Sequence, residues 1–166
     1  MNAERRCVVS VVGGANCTQE QYAKAEEVGR LLAEEGAILV CGGRSGVMEA
    51  ACRGAHEAGG VTLGILPGLS RADGNDYLSI AIPTGLGHAR NALVVQAGHV
   101  VIAIGGGYGT LSEVGIALKT GRKVIGLNSW QATDSEGRPA EIIQVNSPKE
   151  AVGLAISFAG KEGLVG

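Results

Sequence analysis

Three glycine clusters in this chain have the composition of anion cradles: Val12-Gly13-Gly14, Cys41-Gly42-Gly43-Arg44-Ser45-Gly46 and Gly105-Gly106-Gly107-Tyr108-Gly109-Thr110. With no Cβ, a glycine lets a ligand come close to backbone N–H groups. The second and third clusters also open into helical patterns. A helix N-terminus adds unpaired N–H donors and the positive end of a dipole, which together suit a phosphate. Taken singly, each cluster also reads as a tight strand-to-helix turn, because a lone glycine cluster is a weak motif. Three of them at one edge of one sheet favour a ligand. Neither long cluster runs on into Lys-Ser or Lys-Thr, so neither is a Walker A loop. The first lacks GxGxxG with an acidic residue about 20 positions on, so the usual Rossmann dinucleotide site is not supported. The expected chemistry is the holding of a phosphorylated small molecule at 105–110, with the Thr110 hydroxyl offered to the phosphate.

Two charged residues are candidates to complete that site. Arg90 lies early in the helical run 87–97, behind Pro83-Thr84-Gly85-Leu86-Gly87-His88. It reads either as a solvated helix charge or as a planar donor fork for a phosphate or a base. Glu113 follows Thr110 at capping-box spacing, which has it bond back to the start of its own helix. The other reading puts its carboxylate one turn into the helix, beside a bound sugar, where it stabilises positive charge on an anomeric carbon. His88 reads as a capping or packing residue. Cys7, Cys17, Cys41 and Cys52 form no CxxC pair and the three histidines are scattered, so no metal site is expected.

Positioning these residues takes an alternation of strands and helices. Strand-like apolar runs cover 7–12, 37–41, 61–66, 78–82, 99–104 and 123–128, with a shorter one near 142–145. Between them lie helical patterns at 19–35, 46–58, 87–97, 111–120 and 148–159. Continuous β-branched strands separated by helices imply βαβ units. With right-handed crossovers these give a doubly wound, mostly parallel, Rossmann-like α/β sheet of about seven strands with helices on both faces. Thr18-x-x-Gln21 has capping-box spacing, Gly36 can stop the helix that follows, and Ser147-Pro148-Lys149-Glu150 is a strong helix start. Segment 129–141 is polar and without period, an exposed loop.

The bulk composition agrees. A chain of 166 residues with 45% hydrophobic but only 3% aromatic content builds its core from Val, Ile, Leu and Ala. Net charge is −2 with no basic stripe, which argues against nucleic acid as the main ligand. Residues 4–12 imitate a charged and apolar leader, but Ser10 interrupts a short run that ends in Gly13-Gly14, so a first strand explains it better. No run approaches the roughly 20 apolar residues of a membrane span. Unpaired cysteines in strand-like runs point to a reducing compartment, and the expected location is cytoplasmic.

The motifs resemble those of a known family. Gly105-Gly106-Gly107-Tyr108-Gly109-Thr110-Leu111-Ser112-Glu113 resembles the P-G-G-x-G-T-x-x-E signature of the LOG family, whose members long carried the label lysine decarboxylase. The run from Cys41 through Met48 to Ala50, with Gly54-Ala55 and Gly59-Gly60, is similar to the family's other glycine-rich segment, and His88-Ala89-Arg90 to the H-x-R of its R-K motif. The likeness runs from about residue 7 to 128, and residues 1–166 are read as one LOG-like nucleotide-binding domain. It implies a homodimer and a ligand such as a nucleoside monophosphate, held by Gly13, Gly42, Gly43, Arg44, Gly46, Met48, Arg90, Gly105, Gly106, Gly107, Gly109, Thr110 and Glu113, with no cofactor required. In hydrolytic members, the residues matching Arg90 and Glu113 take part in cleaving a nucleoside 5′-monophosphate to free base and ribose 5-phosphate. Asn91 stands where the motif has Lys, and Ile104 where the hydrolases have Pro. Both resemble the branch that includes molybdenum-cofactor carriers, for which a molybdopterin-type ligand is implied. The expected function is a carrier or sensor of a phosphorylated nucleotide- or pterin-like molecule, with phosphoribohydrolase activity as the alternative.

Overall fold

The computed structural model describes residues 6–162; Glu4 and Arg5 of the charged start lie outside them. The strands are β1 (Val8–Gly13), β2 (Ile38–Cys41), β3 (Val61–Leu66), β4 (Ile80–Pro83), β5 (Val100–Ile104), β6 (Lys123–Leu127) and β7 (Ile142–Val145). The helices are α1 (Gln19–Glu34), α2 (Val47–Glu57), α3 (Asn91–Ala97), α4 (Tyr108–Lys119) and α5 (Pro148–Glu162). All seven strands form one sheet in the order β4-β3-β2-β1-β5-β6-β7, and every ladder is parallel.

Parallel strands need crossovers, and the helices supply them on both faces. Val9, Val11, Leu39, Ile102 and Ile125 point to the face covered by α1, α2 and α5. Val12, Val40, Val101, Ala103 and Val124 point to the face covered by α3 and α4, where they meet Val94, Val95, Val114 and Ala117. Strands buried on both sides explain why the apolar runs are continuous instead of alternating. The caps behave as their chemistry dictates. Thr18 and Gln21 form the full capping box of α1, and Gly36 follows that helix with φ +72°. Glu150 N–H donates to Ser147 Oγ at the start of α5.

Three elements differ from the sequence reading. The strand expected at 78–82 runs from Ile80 to Pro83, because Leu78 is still in a turn, donating to the Asn75 carbonyl. The helix expected over 87–97 is a 3-10 turn, Gly87–Arg90, followed by α3. Helix α4 begins at Tyr108, three residues before the apolar period becomes visible.

The chain builds outward from β1 to β4 and then returns to place β5 on the other side of β1. This is the switch point at which such sheets leave a crevice beyond the strands' carboxyl ends. Gly13 is in register with Ile104 there, so the first and third glycine clusters emerge side by side.

Candidate functional site

A cavity of about 250 Å³ opens at the switch point. Gly13, Gly14 and Ala15 line it from the end of β1, Met48 from α2, and His88, Arg90 and Asn91 from the turn before α3. Gly107, Gly109, Thr110 and Glu113 complete it from the start of α4. The first turn of α4 is the part of the cavity richest in unpaired backbone donors. Gly107 is its N-cap and contributes no side chain, and Leu111 N–H bonds back to the Gly107 carbonyl at 3.0 Å. The amides of Tyr108, Gly109 and Thr110 therefore belong to those that helix geometry leaves without an intrahelical partner.

The loop that leads into this turn is wound so that only glycine fits. Gly106 has φ +103°, and a Cβ there would collide with the Thr110 side chain. Gly107 and Gly109 differ, since a Cβ at either would meet no atom within 4 Å. The loop divides the third cluster between two hollows. Gly107, Gly109 and Thr110 face the cavity with Arg90, whereas Gly105 and Gly106 floor a neighbouring groove of about 450 Å³.

Arg90 and Glu113 are both buried, at 8% and 7% exposure, and both line the same cavity. Arg90 is therefore not a solvated helix charge. Its guanidinium lies over Gly42, where a Cβ would sit 2.9 Å from both Nη2 and the Met48 sulfur. Its Nη1 donates to Asn91 Oδ1, and its Nε is buried without a hydrogen-bond partner. Burial lowers the guanidinium's proton affinity, and the Glu113 carboxylate works against that. Of the two readings of Glu113, the capping box with Thr110 does not form. Thr110 is the third residue of α4 and not its cap, which leaves Glu113 one turn further in. Burial pushes the Glu113 carboxyl up to about 7, with Arg90 pulling it the other way. No hydrogen bond contributes to that shift.

A hydrogen-bond relay ties Arg90 to the first turn of α4. Asn91, 5% exposed, accepts from Arg90 and donates through Nδ2 to Ser112 Oγ at 3.0 Å; the Ser112 hydroxyl donates to the Gly109 carbonyl at 2.8 Å. Sequence reasoning registered Asn91 only as a replaced lysine and gave Ser112 no role. The relay depends on how α3 packs on α4, which no local pattern reports.

The second cluster stands behind the cavity. Gly42 backs the Arg90 guanidinium, while the Gly43 amide donates to Cys41 Sγ at 3.2 Å and its carbonyl accepts from Asn75 N–H. Gly46 is the N-cap of α2, and its φ of +66° brings it against the Gly14 carbonyl. Arg44 is exposed and does not line the cavity; its carbonyl accepts from Asn75 Nδ2. His88 is exposed at the rim and neither caps nor packs. Gly14 and Ala15 belong to the cavity although only the first was singled out, as half of a glycine pair. Among the described residues, no group of three or more His, Cys, Asp or Glu is arranged to hold a metal ion, and no helix is long and apolar enough to cross a membrane.

Comparison with known proteins agrees with this architecture. The model of the SLOG cluster4 family matches residues 6–152. The structure of the molybdenum cofactor binding protein from the phototrophic bacterium Rippkaea orientalis superposes with a TM-score of 0.84 at 38% identity, covering 93% of this chain and 98% of that one. The Moco carrier protein of Chlamydomonas reinhardtii superposes with a TM-score of 0.82 at 33% identity, covering 95% and 99%. An uncharacterised protein of Archaeoglobus fulgidus is 40% identical over 92% of this chain and 97% of its own length. A probable cytokinin riboside 5′-monophosphate phosphoribohydrolase of Oryza sativa subsp. japonica is 29% identical over 85% of this chain, which spans 54% of that protein.

Proposed function

The chain belongs to the SLOG cluster4 family, a LOG-like family, and from that premise we propose that it binds a phosphorylated, nucleotide- or pterin-like small molecule as a carrier or sensor. One observation carries the reading. Arg90 and Glu113 are buried in one cavity, share no hydrogen bond, and leave a guanidinium N–H without any partner. A buried guanidinium and a buried carboxylate whose polar atoms are not all hydrogen-bonded within the protein fit a site completed by a ligand. The phosphate lies on the α4 amides, the free donor of Arg90 reaches the ligand, and Glu113 faces its sugar or ring. Solved neighbours that carry molybdenum cofactor support a pterin-type ligand.

Titration calorimetry with nucleoside monophosphates and a pterin phosphate tests this. Arg90→Ala should weaken binding about 10- to 100-fold, the worth of a charge-assisted hydrogen bond. An unchanged affinity in Gly106→Asp would sink the phosphate role of the loop.

The hydrolytic reading is favoured by Glu113, whose carboxyl near 7 beside an anion cradle suits a group that stabilises an oxocarbenium-like ribosyl centre. Incubation with a monophosphate panel should then release free base, at a rate that rises with pH through about 7 as Glu113 ionises. Glu113→Gln should abolish that release. No base from any member of the panel leaves binding as the function.

A further inference from the structure

The groove on the outer side of the glycine loop is absorbed by neither reading. It measures about 450 Å³ and lies between the start of α1 and the segment after β6, with Gly105 and Gly106 as floor and Trp130 as wall. Trp130 is the only tryptophan in the chain and sits in a segment that is otherwise polar. Its indole is fixed in place: Nε1–H donates to the Gly107 carbonyl at 3.1 Å, and Gln144 Nε2 donates to the Trp130 carbonyl at 3.2 Å. Next to it, Ser129 Oγ donates to the Gly105 carbonyl at 2.7 Å. The segment is thus bonded to the anion loop on both sides of Gly106.

Tyr108 stands against Trp130 with ring centroids 6.2 Å apart and planes tilted by 32°, and is itself 85% exposed. The gap is too narrow to admit a third ring, which needs about 7 Å, two van der Waals contacts of roughly 3.5 Å. A ligand ring would therefore lie on the groove face of Trp130, with Tyr108 as backing. Trp130 itself is half-buried and lines the groove, so its ring is the surface there on which a planar group can stack.

We infer that the glycine loop is a saddle between two subsites, and that the ligand carries its phosphate as a link between two organic groups. One group enters the cavity of Arg90 and Glu113, and the other, a planar heteroaromatic ring, stacks on Trp130. The cavity's about 250 Å³ is below the ~300–1,000 Å³ that usually encloses a whole small-molecule ligand, which fits a site that takes only part of one. This inference rests on the phosphate position proposed above and names the ligand class as a phosphodiester, where that reading alone would accept a monoester.

The single tryptophan makes the test direct. The full chain is titrated with AMP and GMP as monoesters, and with the dinucleoside monophosphates ApA and GpG as diesters, by calorimetry and by indole fluorescence. The diesters should bind about tenfold more tightly than the monoesters and change Trp130 emission, as base stacking on an aromatic side chain would give. Trp130→Ala should collapse the diester-to-monoester affinity ratio toward one, while Trp130→Phe, which keeps a ring face, should retain most of it. Diesters no tighter than monoesters, or a ratio unchanged in Trp130→Ala, would overturn the inference and leave the binding function standing. A protein that binds none of the four probes overturns the inference, and the binding function falls with it only if the pterin phosphate also fails to bind.

Discussion

Glu113 is the residue whose chemistry depends most on where the fold puts it. In the unfolded chain its carboxyl titrates near 4.5, and in the cavity near 7. The folded protein thus binds the extra proton between those values, so stability is full below about 4.5 and declines as pH rises through about 7. Glu113→Gln removes the cost of burying the charge. Without ligand, the variant should exceed the parent at pH ~8 by up to about 3 kcal/mol and match it at pH ~4, measured by chemical denaturation. Equal stability at pH ~8 would mean that the carboxylate is solvated. The Asn91–Ser112 relay makes a second prediction at this scale. Asn91→Ala and Ser112→Ala should each weaken phosphate-ligand binding, and their double mutant should fall short of additivity by about 0.5 kcal/mol or more. Strict additivity would show that the two hydrogen bonds act separately. The sequence made Arg90 and Glu113 candidates by type and spacing. It did not make them buried, because burial comes from α3, α4 and Gly42 converging, and these are far apart along the chain.

Among the elements, α4 decides the site. The sequence placed its start at Leu111, because Tyr108-Gly109-Thr110 has no apolar period, and so left Glu113 open between a capping and a ligand-facing role. With Gly107 as the actual cap, both residues turn into the cavity. Gly106→Ala tests how far the loop geometry supports this start. Its positive φ and the collision with Thr110 should cost about 1–3 kcal/mol, lowering the melting temperature as well as the affinity. An unshifted melting curve would mean that the loop relaxes freely. Helices α1 and α2 show the same limit of sequence reading. Both were legible as helices, yet Gly29 approaches the Ala51 carbonyl while Gly54 approaches that of Glu26, a reciprocal backbone contact that no periodicity announces.

For the molecule as a whole, parallel topology and two covered faces followed directly from the continuous apolar runs. What those runs did not reveal is which strand ends the sheet: β4 is an edge strand, and Ile80 and Ile82 on one of its faces remain 47% and 43% exposed. Charge also acts at this scale. With a net charge of −2, the protein offers an anion no long-range attraction, and ligand affinity has to come from the buried Arg90 and the helix turn. Buried charge is screened little by salt, so raising NaCl from about 50 to 500 mM should weaken small-ligand binding by less than about tenfold. Single-stranded DNA should show no mobility shift under the same conditions. A steep loss of ligand with salt, or a retarded DNA band, would contradict this.

The third glycine cluster holds residues under two different constraints. Gly106 is demanded by the path of the chain, and any replacement is felt whether or not a ligand exists. Gly107 and Gly109 face open space, and alanine would even improve Gly109 as a helix residue by about 1 kcal/mol. Over many generations, random substitution should therefore erode those two positions in any descendant that has stopped binding, while Gly106 survives in all of them. Their state in a set of diverged sequences would act as a fossil record of which lineages kept the ligand.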